Sequence, residues 1–378
     1  MREPAALLAF LALTACASTH IQSIRTADDT KNIDAYEKRL WSESREFDLA
    51  MAKAQRVYVD AATTAYLQSI MDRLYPEFKG IIKVRIADST DLNAFALPNG
   101  SVYFNVGLIA RLDNEAQIAT VLGHEAGHFI HKHGYKQREN IKNSSAFALG
   151  VALVGVPVVG DLIATSSIYG YSQDLEREAD QVAFVRIVKA GYDPRESAKT
   201  FEHLANEVQA LGLEEPYFFS SHPKLSERIE SFRALSAGYP PGGRIGKADF
   251  ERQVANLRLA ALAGDLSRDR YKSVILALGT EKGLSSYPPQ AHYYLGEAYY
   301  RRGKDGDGTA ALFEFERAQR LAPDFPPTYR ALGIHYFKQK DFARAQAHLG
   351  KYLNLASDAP DRAYIQQYFE LCKREKKP

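Results

Sequence analysis

Two short motifs constrain this chain more than any other feature: His124-Glu125-Ala-Gly-His128, and further on Glu176-Arg177-Glu178-Ala179-Asp180. Histidines four residues apart on a helix project from one face in successive turns, so both imidazoles can reach one divalent ion at about 2.0–2.1 Å. Glu125 lies about 100° around the same helix, beside such an ion rather than on it. There its carboxylate can take a proton from a metal-activated water and pass it to a leaving amine. The local signals supply the helix. Asp113 or Asn114 can cap it, Glu115 favours its first turn, and Ile118, Leu122, Phe129 and Ile130 recur at helical spacing.

A catalytic zinc site takes three protein ligands and leaves a fourth position open. Glu176 is the candidate for the third, because Asp180 one turn later shares its face and can hydrogen-bond a ligating imidazole. Ser172 can cap this second helix, and Gly191 followed by Pro194 ends it. Glu178 points off that face and reads as a solvated or structural charge, with a ligand role as the minor alternative. His131 and His133 continue the first helix as packing or hydrogen-bonding neighbours, with contact to the metal as the minor alternative. An isolated pair of histidines at this spacing is more often a surface or core feature. The intervening Glu125 and the downstream Glu176 and Asp180 turn the reading to one Zn²⁺ per chain.

These residues resemble the zinc metallopeptidases that include HtpX and the CAAX prenyl proteases, in which His-Glu-x-x-His precedes Glu-x-x-Ala-Asp. The resemblance extends to Asn93-Ala-Phe-Ala-Leu-Pro-Asn-Gly100, Ser101-Val-Tyr-Phe104, Gly107-Leu108, Gly191-Tyr-Asp-Pro194, and His222-Pro223 with Arg228, covering roughly residues 45 to 235. It implies His124, His128 and Glu176 as zinc ligands, Glu125 as general base and Asp180 as the acid behind the ligands. Gln173 stands where the family often carries arginine, which puts any helper role of that arginine in doubt. Pro223 restricts His222 to extended geometry and so presents it on a loop. By the resemblance His222 takes zinc's open position and restrains the enzyme. An oxyanion donor and a loop-packing residue are the alternatives.

With 378 residues, 46% hydrophobic and 25% charged, the chain is long enough for two domains with their own cores. A net charge of +2 gives no sign of a nucleic-acid surface. Arg2 and the apolar run Ala5 to Leu13 are too short to span a bilayer but fit a secretory signal over residues 1–15. Leu13-Thr14-Ala15-Cys16 resembles the bacterial lipobox, which implies lipid on Cys16. An ordinary signal peptide cut near the same residues is the alternative. The resemblance to sorted lipoproteins, in which an aspartate after the cysteine is associated with inner-membrane retention, implies through Ala17 the periplasmic side of the outer membrane. Cys372 is then left without a partner. Residues 16–34 read as a polar tether.

The fold class expected is an α+β zincin-like metallopeptidase domain, mainly helical with a small sheet, over residues 35–238, followed by an all-α tetratricopeptide domain over 244–378. Ala35 to Tyr75 reads as mainly helical, with Leu67, Ile70, Met71 and Leu74 on one face. Ile81 to Ile86 and Ser101 to Val106 read as strands joined through the Pro98-Asn99-Gly100 turn. The edge around Asn93 to Ala96 could pair with an extended peptide. Ala146 to Ala164 is nearly uncharged but broken by Gly150, Gly155, Pro157 and Gly160, which favours a buried or flap-like helical pair over a membrane hairpin. The Pro/Gly cluster at residues 238–243 marks a boundary. After it, Leu295-Gly296, Tyr299, Ala311, Phe315, Ala318 and Pro323 align with Leu332-Gly333, Tyr336, Ala345 and Leu349, as tetratricopeptide positions do. Ala248 to Leu284 supplies one or two degenerate units. The whole arrangement resembles the periplasmic BepA-type proteases. It implies an endopeptidase acting on misfolded or stalled envelope proteins, with repeats that dock a substrate or the outer-membrane assembly machinery. The other class in view is a chaperone or scaffold whose zinc site rarely cleaves. An integral-membrane prenyl-processing enzyme is disfavoured because no convincing set of spans exists.

Overall fold

The structure is a computed structural model that describes residues 22–142, 171–212 and 225–375. The signal peptide, Cys16, the segment 146–164 and His222 lie outside the described residues. Helix α1 (Ala35–Lys53) opens on a capping box, in which the Asp34 carboxylate accepts from the Glu37 amide at 2.7 Å and Glu37 accepts in return from the Asp34 amide at 3.3 Å. Helix α2 (Ala61–Leu74) is capped by Asp60, and Val57 between the two helices forms a bridge to Ala87. Leu67, Ile70, Met71 and Leu74 are all buried, as their spacing predicts.

Strands β1 (Lys83–Ala87), β2 (Ala94–Ala96) and β3 (Ser101–Asn105) form a sheet in the order β1-β3-β2. β1 runs parallel to β3, with Lys83 opposite Ser101, and β2 runs antiparallel to it, with Ala94 opposite Phe104. The Pro98-Asn99-Gly100 turn therefore joins β2 to β3 and not the two longer strands. A tight turn can link only antiparallel neighbours. Helices α3 (Val106–Arg111), α4 (Glu115–Ile130), α5 (His133–Lys142), α6 (Gln173–Lys189), α7 (Glu196–Leu211) and α8 (Leu225–Ser236) follow. Every residue of α4 is buried. It is the central rod of a core to which Leu67 and Ile70 of α2, Phe104 of β3, Phe201 of α7 and Phe232 of α8 contribute.

Two boundaries differ from those expected. Within the stretch read as a tether, Ile24 is buried and its amide donates to the Ile130 carbonyl at 2.8 Å, while most of its neighbours are exposed. One aliphatic side chain, with Ser23 Oγ 3.2 Å from His131 Nδ1, ties a polar stretch to the end of α4, and composition averages that signal away. Nor do residues 238–243 separate two cores. After them come α9 (Lys247–Gln253), α10 (Ala255–Ser267), α11 (Tyr271–Leu278) and α12 (Glu281–Ser285), and Phe250, Val254, Leu257 and Ala261 belong to the same core as α4. The Pro/Gly cluster marks a turn, with Gly242 and Gly243 at φ of 132° and 123°, rather than the end of a domain.

The remaining helices are α13 (Ala291–Arg302), α14 (Asp307–Leu321), α15 (Pro326–Lys338), α16 (Phe342–Leu355) and α17 (Arg362–Glu375). α13 packs on α14 and α15 on α16. A Cβ on Gly296 would come within 2.6 Å of the Phe315 ring, and one on Gly333 within 2.4 Å of Leu349, so each pair closes only over a glycine. Among the described residues no helix is long and apolar enough to cross a membrane.

Candidate metal centre

Asn114 caps α4, accepting from the Gln117 amide at 3.0 Å, and Ser172 caps α6. The two helices approach closely because Gly123 and Gly127 of α4 face Ala183 and Ala179 of α6. A Cβ on either glycine would stand 3.3–3.4 Å from the opposing alanine Cα. With no larger side chain between them, Glu176 reaches the two histidines. His124 Nε2 and His128 Nε2 are 2.9 Å apart, and the Glu176 carboxylate lies 3.3 Å from the first and 3.5 Å from the second. All three residues are buried.

Donors at about 2.05 Å from a tetrahedral ion stand about 3.3 Å from one another, so this triangle fits Zn²⁺ in both donor type and spacing. Bound there, the ion would supply Lewis acidity, enough to bring a water's pKa to about 7. Glu125 adjoins His124 on α4 and is 1% exposed, outside the donor triangle.

Each histidine is oriented from behind. His124 Nδ1 lies 2.8 Å from Asp180 Oδ1, and Asp180 is gripped through two oxygens by Arg228 at 3.1 and 2.5 Å. Arg228 itself is 2% exposed and stacks over the Phe201 ring at 4.0 Å. Burial opposes ionisation of Asp180, but the Arg228 guanidinium and His124 hold its carboxyl below the usual range. On the other side, Tyr171 stacks on His128 with centroids 4.1 Å apart, and His128 Nδ1 meets His133 Nδ1 at 2.9 Å.

His133 does not continue α4 as the motif suggested. The helix ends at Ile130, Lys132 takes a left-handed φ of 53°, and α5 starts afresh at His133. Burial holds the His133 imidazole neutral, its pKa pushed down to about 4, with Glu178 pulling the other way. Glu178 is not a loose surface charge. Its carboxylate takes His131 at 2.6 Å, His133 at 3.1 Å and Lys136 at 3.7 Å. The structure brings His124, Glu125, His128, Glu176 and Asp180 to one place, and it adds Arg228 and Tyr171, which arrive by tertiary contacts that no local spacing encodes; His133, read as a hydrogen-bonding neighbour, stands against His128.

Residues 61–236 match the model of peptidase family M48. That segment is a peptidase family M48 domain. The chain is 32% identical over 151 residues to the mitochondrial metalloendopeptidase OMA1 of Arabidopsis thaliana, covering 39% of this chain and 30% of that protein. It is 28% identical to the OMA1 of Saccharomyces cerevisiae, covering 47% and 54%. It is 25% identical to the beta-barrel assembly-enhancing protease of Escherichia coli K12, covering 46% and 39%. The chain spans about a third to a half of the length of the curated relatives it matches. A cleft lined by His128, Tyr171, Trp41, Ala96 and Pro98 opens between helix α4 and edge strand β2.

Proposed function

We propose that the protein is a zinc-dependent endopeptidase of the bacterial cell envelope that acts on misfolded or stalled envelope and outer-membrane proteins. The observation that carries the reading is a buried triangle of His124, His128 and Glu176 with Glu125 adjoining it as a carboxylate outside the donor set. In this reading Glu125 takes the proton of the attacking water and returns it to the departing amine. Asp180, held in place by Arg228, accepts from Nδ1 and so keeps His124 in the tautomer that offers Nε2. A substrate laid along the β2 edge would add a strand and bring its scissile bond into the neighbouring cleft.

The paired helices from Ala291 onward resemble tetratricopeptide units and would dock a substrate or an outer-membrane assembly machine. The similarity to beta-barrel assembly-enhancing proteases supports that direction. Lipid on Cys16 would set the working distance from the membrane. Ile24 is fixed to the end of α4, and the eight residues back to Cys16 reach at most about 29 Å. The enzyme would then work on substrates close to the bilayer.

Degradation of casein by zinc-loaded protein, abolished by chelation and by Glu125→Gln, tests the reading. The second reading, a chaperone or scaffold with a latent site, is favoured by the burial of all four site residues to 2% exposure or less. It predicts that unfolded envelope proteins are bound with no cleavage at any zinc concentration.

A further inference from the structure

We propose that His133, held by Glu178, is a positioning residue that fixes the tautomer and ring plane of His128. Each ligand histidine would then be backed by a hydrogen-bond chain ending in a carboxylate. The inference rests on the zinc reading above. The Nε2 atom of His128 faces His124 and Glu176, so when Nε2 holds an ion the ring's proton must sit on Nδ1. That atom stands 2.9 Å from Nδ1 of His133. Two bare nitrogens would repel at this distance and two N–H groups would clash, so one donates, and His128 is the donor. His133 must then accept at Nδ1 and carry its own proton on Nε2, which lies 3.1 Å from Glu178 Oε2 and donates to it. A single assignment of protons satisfies every link.

The backbone supports the same assignment. In an unbroken helix residue 133 would lie about 140° around the axis from residue 128, since five residues turn about 500°. The left-handed Lys132 breaks the helix and folds His133 back beneath His128, a conformation that costs about 1 kcal/mol for a residue with a side chain. The far end of the chain is fixed as well, because Glu178 also takes His131 and Lys136.

His131, His133 and Glu178 lie close enough together to suggest a second metal site. The proton that the chain places on His133 Nε2 argues against it, and Lys136 already supplies a cation to Glu178.

The test compares His133→Leu, which removes the acceptor, with His133→Asn, whose Oδ1 falls near the lost Nδ1. Glu178→Gln and the ligand variant His124→Ala complete the set. Zinc affinity is measured by chelator competition, the cobalt-substituted spectrum reports ligand geometry, and thermal midpoints are taken on metal-free protein. His133→Leu should weaken zinc binding about 10–100-fold and shift the cobalt spectrum. His133→Asn should recover most of both, and Glu178→Gln should lose less than His133→Leu. The metal-free midpoints of the Leu and Asn variants should agree. Wild-type affinity and spectrum in His133→Leu would overturn the proposal, as would equal losses in the Leu and Asn variants. So would a second zinc ion that His131→Ala removes. If His133→Leu does not fold, an unchanged Glu178→Gln overturns it. Undiminished zinc binding by His124→Ala would instead sink the zinc reading on which the proposal stands.

Discussion

Two acidic residues at different points of α4 have different surroundings and different expected roles. Glu125 adjoins the donor triangle without belonging to it, so Glu125→Gln should keep one zinc per chain and lower kcat by about 10²–10⁴-fold. Metal analysis beside peptide cleavage checks this, and loss of zinc from the variant would make Glu125 a ligand. Glu115, fully buried at the start of the helix, takes Arg73 at 2.6 Å and Arg244, Tyr66 and Tyr192 each at 2.8 Å. Burial opposes its ionisation, but Arg244, the two tyrosines and Arg73 hold its pKa below the usual range. A depressed carboxyl contributes stability above the unfolded value, about 4.3, and loses it as pH falls through the folded one. Glu115→Gln should therefore cost about 3–5 kcal/mol at pH 7, a difference that shrinks below pH 4. Urea unfolding between pH 7 and 3 measures it, and parallel loss in both proteins would contradict it. At this scale the candidate site was legible in part, because helical arithmetic puts 124 and 128 on one face of α4 and 176 and 180 on one face of α6. Arg228 was not, since its grip on Asp180 spans 48 residues of chain.

Among elements, the contact of α4 with α6 sets the metal triangle, and its geometry depends on two glycines. Gly127→Ala places a Cβ at 3.4 Å from Ala179, ordinary contact, whereas Gly123→Leu must push the helices apart. Overpacking of this kind costs about 1–3 kcal/mol. Because the displacement falls between ligands on separate helices, Gly123→Leu should lose zinc affinity well beyond its effect on the metal-free midpoint, and Gly127→Ala should lose little. Chelator competition and thermal unfolding distinguish the two effects. Native zinc affinity in Gly123→Leu would mean that the close approach does not set the triangle. Helix existence and faces were readable from apolar period, but the break after Ile130 was not. Lysine is an ordinary helix residue, and its left-handed turn is imposed by packing rather than announced by a glycine or asparagine. Strand pairing was misread for a similar reason. Periodicity finds strands, but direction depends on the short β2 that intervenes between the two longer ones.

At the scale of the whole molecule, the helices after residue 246 are not an appendage to a finished peptidase. Phe250, Val254 and Leu257 fill the core around α4, and Thr63 donates to the Gln253 carbonyl at 2.8 Å. Farther along, Arg111 of α3 is buried between Glu207 at 3.0 Å and Asp265 of α10 at 2.5 Å, Arg258 donates to the Leu112 carbonyl at 2.9 Å, and Tyr287 to that of Ala110 at 3.2 Å. Those carbonyls lie in the segment that leads into α4, so the attachment bears on the site helix itself. Full burial of one Phe, Val or Leu side chain contributes about 1.5–3 kcal/mol, and three together approach the 5–15 kcal/mol that separates a folded domain from its unfolded chain. A chain ending at residue 243, where the Pro/Gly cluster suggests a boundary, should therefore fail to fold cooperatively or to retain zinc. One ending at residue 289 keeps all of these ties and should unfold cooperatively with its zinc bound. Calorimetry and zinc content of the two truncations decide between one shared core and two separate ones. Equal midpoints and equal zinc in both would mean that residues 247–289 only rest on the peptidase and that α4 is held without them.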